Sequence, residues 1–222
     1  MANHHASAPR EALAFHLAFG IVALLAVMFT SGHGYGLAVL VLAIAYNLLL
    51  PGYALLRGYS DWIARWAFLL PVSIGQVLPD WTLVRISETL IFPDHGIARI
   101  GGDVPVYFMG LWIMLLFPIT LFADAANRAR YLVAALLALL LFGAAEWAAP
   151  MLQLWQPRNI DTVAGVALYT LPAEILLCLA CLRLYRRTRH DSVFARLWAA
   201  TMIVGFYCGA LMISLLAFGG GR

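Results

Sequence analysis

The apolar positions of this chain are grouped into long runs, and the polar positions lie mostly between them. Seven runs are long enough to cross a bilayer, which needs about 20 mostly apolar residues. They cover residues 12–30, 36–56, 62–79, 105–123, 130–150, 164–185 and 195–218. The sequence therefore predicts an all-α, polytopic transmembrane bundle of about seven spans, forming a single domain over residues 1–222.

The third run is the most irregular of the seven, because it contains Pro71, Gly75, Gln76 and Pro79. Proline in a spanning helix frees backbone groups that neighbouring elements must satisfy. This pattern is compatible with a kinked helix or with a re-entrant segment, and the sequence leaves both open.

The arginines indicate the orientation of the bundle. Ten of the fourteen fall on the side that holds the N-terminus and four on the other side. Because cytoplasmic loops carry an excess of basic residues, we expect a cytoplasmic N-terminus, an outside C-terminus and a bacterial-type inner (cytoplasmic) membrane. Four arginines that end the sixth run are expected to anchor the topology and to contact anionic lipid headgroups: Arg183, Arg186, Arg187 and Arg189.

The longest loop, residues 80–104, is predicted on the outer side. Its first residues alternate apolar and polar positions at roughly helical spacing. We therefore expect a short helix lying in the membrane interface. The loop would serve either as a simple cap or as a lid over an outward-facing cavity.

Composition removes several classes of function. The chain is 64% apolar and 11% charged, which excludes an ordinary soluble domain. Its net charge of +3 is spread over short loops, and nucleic-acid binding needs a continuous basic face. All the basic residues other than histidine are arginines, so a retinal Schiff base, which requires a lysine, is excluded. Cys178, Cys181 and Cys208 lie in apolar runs without further ligands nearby, and we expect no metal and no cofactor.

Two carboxylates within the apolar runs are the main candidates for chemistry, since charges inside a bilayer are costly. Glu146 lies toward the outer end of the fifth run. Glu174 lies near the middle of the sixth, roughly 15 Å below its outer start at a rise of 1.5 Å per residue. These runs are consecutive and antiparallel, so the two glutamates can share a cavity. Asp80, at the outer end of the third run, would close the same chamber.

The predicted chemistry is acid catalysis on an apolar substrate. A carboxyl in hydrocarbon tends to stay protonated, because desolvation penalises its charged form, and it can then protonate an alkene or epoxide. Aromatic faces stabilise the resulting carbocation, and a second carboxylate quenches it. Five polar or aromatic residues at this depth are predicted to bind the substrate: Tyr107, Trp112, Trp147, Tyr169 and Asn47. The structural alternative is that each glutamate only hydrogen-bonds across helices.

Short motifs in the chain resemble those of membrane isoprenoid enzymes. The segment from Leu171 to Glu174 resembles the Pro-x-Glu motif of the small membrane lycopene cyclases. The segment from Ile100 to Pro105, leading toward Trp112, resembles the Gly-x-Pro motif of the membrane carotenoid hydratases. Membrane terpene cyclases are similar in size, span count and buried acids. The resemblance implies that Glu174 acts as an acid or base, with Glu146 as its counterpart.

Three functions are compatible with these patterns. The leading hypothesis is an enzyme that acts on an isoprenoid or another apolar lipid by acid/base carbocation chemistry. The second is a non-enzymatic membrane accessory or lipid-binding protein, whose acids connect helices. The third is a small proton-coupled transporter that titrates the same glutamates. The expected partner is a membrane lipid or apolar small molecule, and oligomerisation stays open.

Overall fold

The computed structural model describes residues 2–220, with side chains described from residue 8. The chain is 74% helical. Six helical segments in the described part are long and apolar enough to cross a membrane: Ala8–Met28, Gly32–Arg57, Ser60–Arg85, Phe108–Ala125, Asn127–Ala148 and Val193–Phe218. An all-α protein with the helices of an integral membrane protein is therefore confirmed.

The elements follow one another in simple order. The α-helices of the described part are α1 (Ala2–Met28), α2 (Gly32–Arg57), α3 (Ser60–Gly75), α4 (Val77–Arg85), α5 (Phe108–Ala125), α6 (Arg130–Ala148), α7 (Thr170–Thr188) and α8 (Val193–Phe218). A 3₁₀ turn at Asn127–Ala129 joins α5 to α6. Four two-residue strands complete the list: β1 (Leu90–Ile91), β2 (Arg99–Ile100), β3 (Val104–Pro105) and β4 (Gln156–Pro157).

The third run forms one kinked helix, made of α3 and α4, and no re-entrant segment. The Gln76 backbone N–H donates to the carbonyls of Val72 and Ser73, and the Gln76 carbonyl accepts from Asp80 at 3.1 Å. Pro79 has no N–H to donate to the carbonyl of Gly75, which explains the break at this point. Both halves pack against α8. The helix continues to Arg85, six residues past the predicted end.

Close contact between α3 and α8 depends on the glycine at the kink. A Cβ added at Gly75 would lie 2.5 Å from the Cγ2 atom of Val204. Small residues of this kind let membrane helices approach closely. A side chain at position 75 would therefore require Val204 or one of the two helices to shift.

The sixth predicted run differs most from the structure. It was expected at residues 164–185, but α7 begins only at Thr170, and Val163 pairs with Val166 in a turn before it. In its nineteen residues α7 carries Glu174 and three arginines, which separates it from the six apolar helices. It packs mainly between α6 and α8, and Cys178 and Cys181 are fully buried there. The seventh span and the orientation of the bundle stay predictions.

Two long loops, residues 86–107 and 149–169, cover one end of the bundle, and together they are called the cap. Strand β1 of the first loop pairs antiparallel with β4 of the second, with Leu90 opposite Pro157. β2 and β3 form a hairpin, and the Arg99 guanidinium donates to the carbonyls of Phe92, Pro93 and Asp103.

The expectation of a separate interfacial helix in residues 80–104 was wrong. The helical spacing at residues 80–85 belongs to the end of α4. The rest of the loop forms turns and short strands instead.

Candidate functional site

A partly open cavity lies beneath the cap. Its walls come from α4, α5, α6, α7, α8 and both cap loops. They consist of Asp80, Leu83, Thr89, Leu90, Phe92, Phe108, Leu111, Trp112, Leu115, Phe142, Glu146, Trp155, Pro157, Ala167, Tyr169, Thr170, Glu174 and Tyr207.

The three predicted catalytic acids meet in this cavity, each from a different helix. Asp80 follows the kink between α3 and α4, Glu146 lies two residues before the end of α6, and Glu174 lies in the first turns of α7. Because α7 begins at Thr170, Glu174 is only about 6 Å from the start of its helix at 1.5 Å per residue. The expected depth of roughly 15 Å was wrong. This shift brings Glu174 close to the level of Glu146.

Glu174 is the most enclosed of the three acids. Its exposed fraction is 2%, and its Oε2 atom is buried without a hydrogen-bond partner. It interacts electrostatically with Glu146 and Asp80. The cavity wall of the described chain includes no arginine and no histidine to balance these carboxylates. Burial and like charges both disfavour the charged form of a carboxyl, so three neighbouring carboxyls without a cation oppose one another's ionisation.

The other two acids have aromatic hydrogen-bond donors beside them. Asp80 is 4% exposed and accepts a hydrogen bond from the Trp112 indole N–H at 3.1 Å. Glu146 interacts with the side chain of Trp155 from the cap. Of the three acids, Glu146 alone is partly exposed. The acids therefore have distinct surroundings: one without a donor, one held by an indole, and one near the opening.

Aromatic rings surround the acids. Trp112 and Tyr169, both predicted as substrate-binding residues, line the cavity. Trp112 packs edge-on against Tyr207, with ring centroids 5.5 Å apart, and lies 5.7 Å from Phe142. Sequence reasoning missed Tyr207, which lies inside a long apolar run without a charged neighbour. It also missed Phe142, although Phe142 lies one helical turn before Glu146 and shares its face.

The other three predicted binding residues lie elsewhere. Trp147 is 57% exposed on α6, because one step along a helix turns the side chain by about 100° away from Glu146. The Asn47 amide donates to the carbonyls of Ala43 and Gly110 and accepts from Trp66, so it connects helices.

Tyr107, the third of these residues, packs in a separate apolar cluster beside the cavity. Its hydroxyl is buried without a hydrogen-bond partner. Burial raises the pKa of this hydroxyl to about 12. Tyr107 is therefore a neutral packing residue at neutral pH.

The cap closes the cavity on one side. The Thr89 hydroxyl from the first loop and the Tyr169 hydroxyl from the second are 2.9 Å apart. The Tyr169 carbonyl accepts from the Ser214 hydroxyl of α8 at 2.5 Å. Thr89, Phe92 and Tyr169 are all buried. Of the two roles considered for the outer loop, the structure gives it that of a cover over a cavity.

At the other end of the bundle, charged residues are paired. Arg65 is 1% exposed and donates to the Thr120 carbonyl at 2.9 Å and to both Asp61 and Asp124 at 3.0 Å. Its guanidinium lies 4.3 Å from the centre of the Tyr185 ring. Arg186 of the predicted arginine group also pairs with Asp124, whereas Arg183, Arg187 and Arg189 are exposed. We call these residues the arginine network: Asp61, Arg65, Asp124, Tyr185 and Arg186.

The described residues include no group of three or more His, Cys, Asp or Glu side chains arranged to hold a metal ion. The arrangement of the cavity acids suits proton transfer to or from a ligand that lies among the rings.

Comparisons with known proteins give one result. No curated protein and no solved structure matches the chain. The model of a family described as a domain of unknown function, DUF6989, matches residues 77–218. This range begins at α4 and contains every residue of the cavity wall. The chain belongs to the DUF6989 family.

Proposed function

We propose that this protein is a membrane enzyme that acts on an isoprenoid or a similarly apolar lipid by proton-initiated carbocation chemistry. The observation that carries the proposal is the meeting of Asp80, Glu146 and Glu174 around one cavity whose other walls are apolar and aromatic. Structural acids in a membrane bundle are normally paired with donors or cations. Glu174 has one carboxylate oxygen without a partner.

Proton transfer needs an acid and a base with different surroundings. Glu174 is the proposed donor, because burial and two neighbouring carboxyls favour its protonated form. Glu146 is the proposed acceptor, since it lies nearer the opening and beside Trp155. Asp80, which accepts a hydrogen bond from Trp112, is proposed to support the site by contributing a negative electrostatic potential.

The proposed reaction conserves protons. The Glu174 carboxyl gives its proton to an alkene carbon, a C–H bond forms, and the neighbouring carbon becomes cationic. An internal alkene can attack that cation and form a new C–C bond. Glu146 then removes a proton from an adjacent carbon, which restores a double bond. The product is an isomer of the substrate, and proton transfer between the two glutamates resets the site.

The rings around the acids suit this intermediate. Aromatic faces attract a cation by about 0.5–2 kcal/mol each, with the larger value in desolvated sites. Trp112 contacts both Phe142 and Tyr207 at the cavity wall. They provide no strong nucleophile that would trap the cation early.

The test is untargeted lipid mass spectrometry on isoprenoid-producing cells that express wild type, Glu174→Gln, Glu146→Gln or an empty vector. We expect a lipid species to appear or disappear with wild type, and each variant to lower its rate of conversion by about 10²–10⁴-fold, the usual contribution of a general acid or base.

Glu88→Gln is the matched control, because Glu88 is an exposed cap residue that does not line the cavity. It should convert the lipid at the wild-type rate. Identical lipid profiles for wild type and empty vector, with folded protein in the membrane, would contradict the enzyme proposal and favour the lipid-binding alternative. Proton-coupled uptake into vesicles would favour a transporter instead.

A further inference from the structure

The walls of the cavity differ in exposure. The side formed by α4, α7 and α8 is closed, since Asp80, Leu83, Glu174 and Tyr207 are all buried. The cap is closed only in part: Thr89, Phe92, Ala167 and Tyr169 are buried, whereas Leu90, Trp155 and Pro157 of the wall are partly exposed. The side formed by α4, α7 and α8 gives a ligand no access to the acids.

A second partly exposed part of the wall lies on α5 and α6. Leu111 and Leu115 of α5 and Glu146 of α6 line the cavity and are also partly accessible. One turn before Glu146, Gly143 faces open space, since a Cβ added there would meet no atom within 4 Å. The cavity therefore opens sideways between these two helices.

The surface beside this opening is apolar. Leu136, Leu139, Leu140 and Trp147 form a shallow groove on α6 together with Gly143. Helices α5 and α6 belong to the segments apolar enough to span a membrane. The opening thus faces the hydrocarbon of the bilayer, where the available ligands are lipid chains.

Charge restricts which lipid can enter. The cavity wall carries three carboxyls and no arginine or histidine in the described chain. Phosphate and diphosphate groups are normally held by arginine, lysine or helix N-termini. An anionic headgroup in this site would meet like charges in a medium of low dielectric constant.

We propose that the substrate is an uncharged, chain-like lipid that enters sideways from the bilayer between α5 and α6. That this lipid is a substrate rests on the proposed function, but its binding and its direction of entry can be measured without any turnover. A neutral head such as a hydroxyl or an epoxide can accept a hydrogen bond from a protonated carboxyl. The chain then lies along Leu111 and Leu115.

The test is photolabelling of the full-length protein in phosphatidylcholine vesicles. Two probes share one long alkyl chain with a diazirine near its head: a free alcohol, and the phosphate monoester of the same alcohol. After illumination, peptide mass spectrometry locates the adducts. We expect the alcohol to label Glu146 and Leu115, and the phosphate ester to label these positions at least ten times less.

Gly143→Phe is the blocking variant, and Gly20→Phe is its matched control. Both glycines lie on membrane-facing helix surfaces with open space around the added side chain. Phenylalanine at position 143 should lower labelling of Glu146 by the alcohol at least fivefold and leave adducts on α1 and α2 unchanged. Phenylalanine at position 20 should change neither.

Equal labelling of Glu146 by the two probes would overturn the neutral-ligand inference. Alcohol adducts confined to outward-facing residues would overturn the sideways opening. Neither result depends on catalysis. Labelling as expected together with unchanged lipid profiles would support the binding site and refute the enzyme. Changed lipid profiles without the expected labelling would refute only the proposed entry between α5 and α6.

Discussion

The acids at one end of this bundle are paired with arginine, whereas those at the other end line a cavity wall without arginine in the described chain. In the arginine network, Asp61 and Asp124 both pair with Arg65, and its guanidinium also reaches a backbone carbonyl. Beneath the cap, Asp80, Glu146 and Glu174 line an open space and have no cation among them in the described chain. Both groups consist of acids between membrane helices, yet only the first is electrically balanced.

This difference separates structural acids from candidate functional ones. A paired acid connects α3, α5 and α7 and gains its stability from those connections. An acid that keeps a free oxygen beside a cavity gives up that stability, and proteins retain such sites mainly where a ligand or a proton uses them. The comparison predicts opposite responses when a charge is removed at each end.

The largest effect is expected at the paired end. Arg65→Met should lower the free energy of unfolding by about 3–5 kcal/mol, because it removes the hydrogen bonds of the buried guanidinium to Asp61, Asp124 and the Thr120 carbonyl. Thermal unfolding in detergent micelles measures this change. Arg187→Met is the control, since Arg187 is exposed on α7, and it should match wild type. If Arg65→Met melts with wild type, the network is not a structural connection.

A smaller loss is expected where a cavity acid does have a donor. Trp112→Phe keeps the ring but removes the N–H that Asp80 accepts. A buried acceptor left without its donor costs about 1–3 kcal/mol. The same thermal measurement applies, with Trp147→Phe as the control because Trp147 is on the outward face of α6. Equal melting of the two variants would show that Asp80 does not depend on the indole.

The cap provides the next smaller effect. Thr89→Val removes the hydroxyl contact with Tyr169 between the two cap loops, and a single hydrogen bond is worth about 0.5–1.5 kcal/mol. Hydrogen exchange of the cap amides should rise about three- to tenfold, while the amides of α5 and α7 keep their protection. Uniform changes across all helices would indicate general destabilisation instead of cap opening.

The smallest change in stability is expected at Glu174. Glu174→Gln removes a carboxyl that lacks a partner at Oε2 and interacts with two other acids, so its unfolding temperature should equal or slightly exceed that of wild type. Loss of stability comparable to that of Arg65→Met would show that Glu174 is a structural residue, and the contrast between the two ends would fail.

Much of the helix arrangement could be predicted from apolar runs alone, because each membrane helix carries its own length signal. The start of α7 could not, since residues 164–169 are apolar enough to continue the run but form a turn and part of the cap. The meeting of Asp80, Glu146 and Glu174 was expected, although Glu174 was placed near the middle of its helix and lies instead in the first turns of α7. Their catalytic role stays a prediction.

The remaining cavity residues carry no comparable signal. Tyr207 and Phe142 are ordinary members of apolar helices, and only the rotation of α6 and α8 turns them inward. The same rotation turns Trp147 outward. The pairing of Arg65 with two aspartates also could not be predicted from the sequence. An arginine near a helix end indicates topology whether or not it is paired.

The glycine at the kink has a consequence for the range of ligand sizes. Gly75 fixes the approach of α3 to α8 through Val204, and three residues farther along α8 lies Tyr207, a wall of the cavity. A methyl group at position 75 would require the Val204 side chain or α8 itself to shift, without altering any residue that lines the cavity. Under the proposed function, Gly75→Ala is therefore the simplest change expected to alter the range of lipid sizes from a position outside the site.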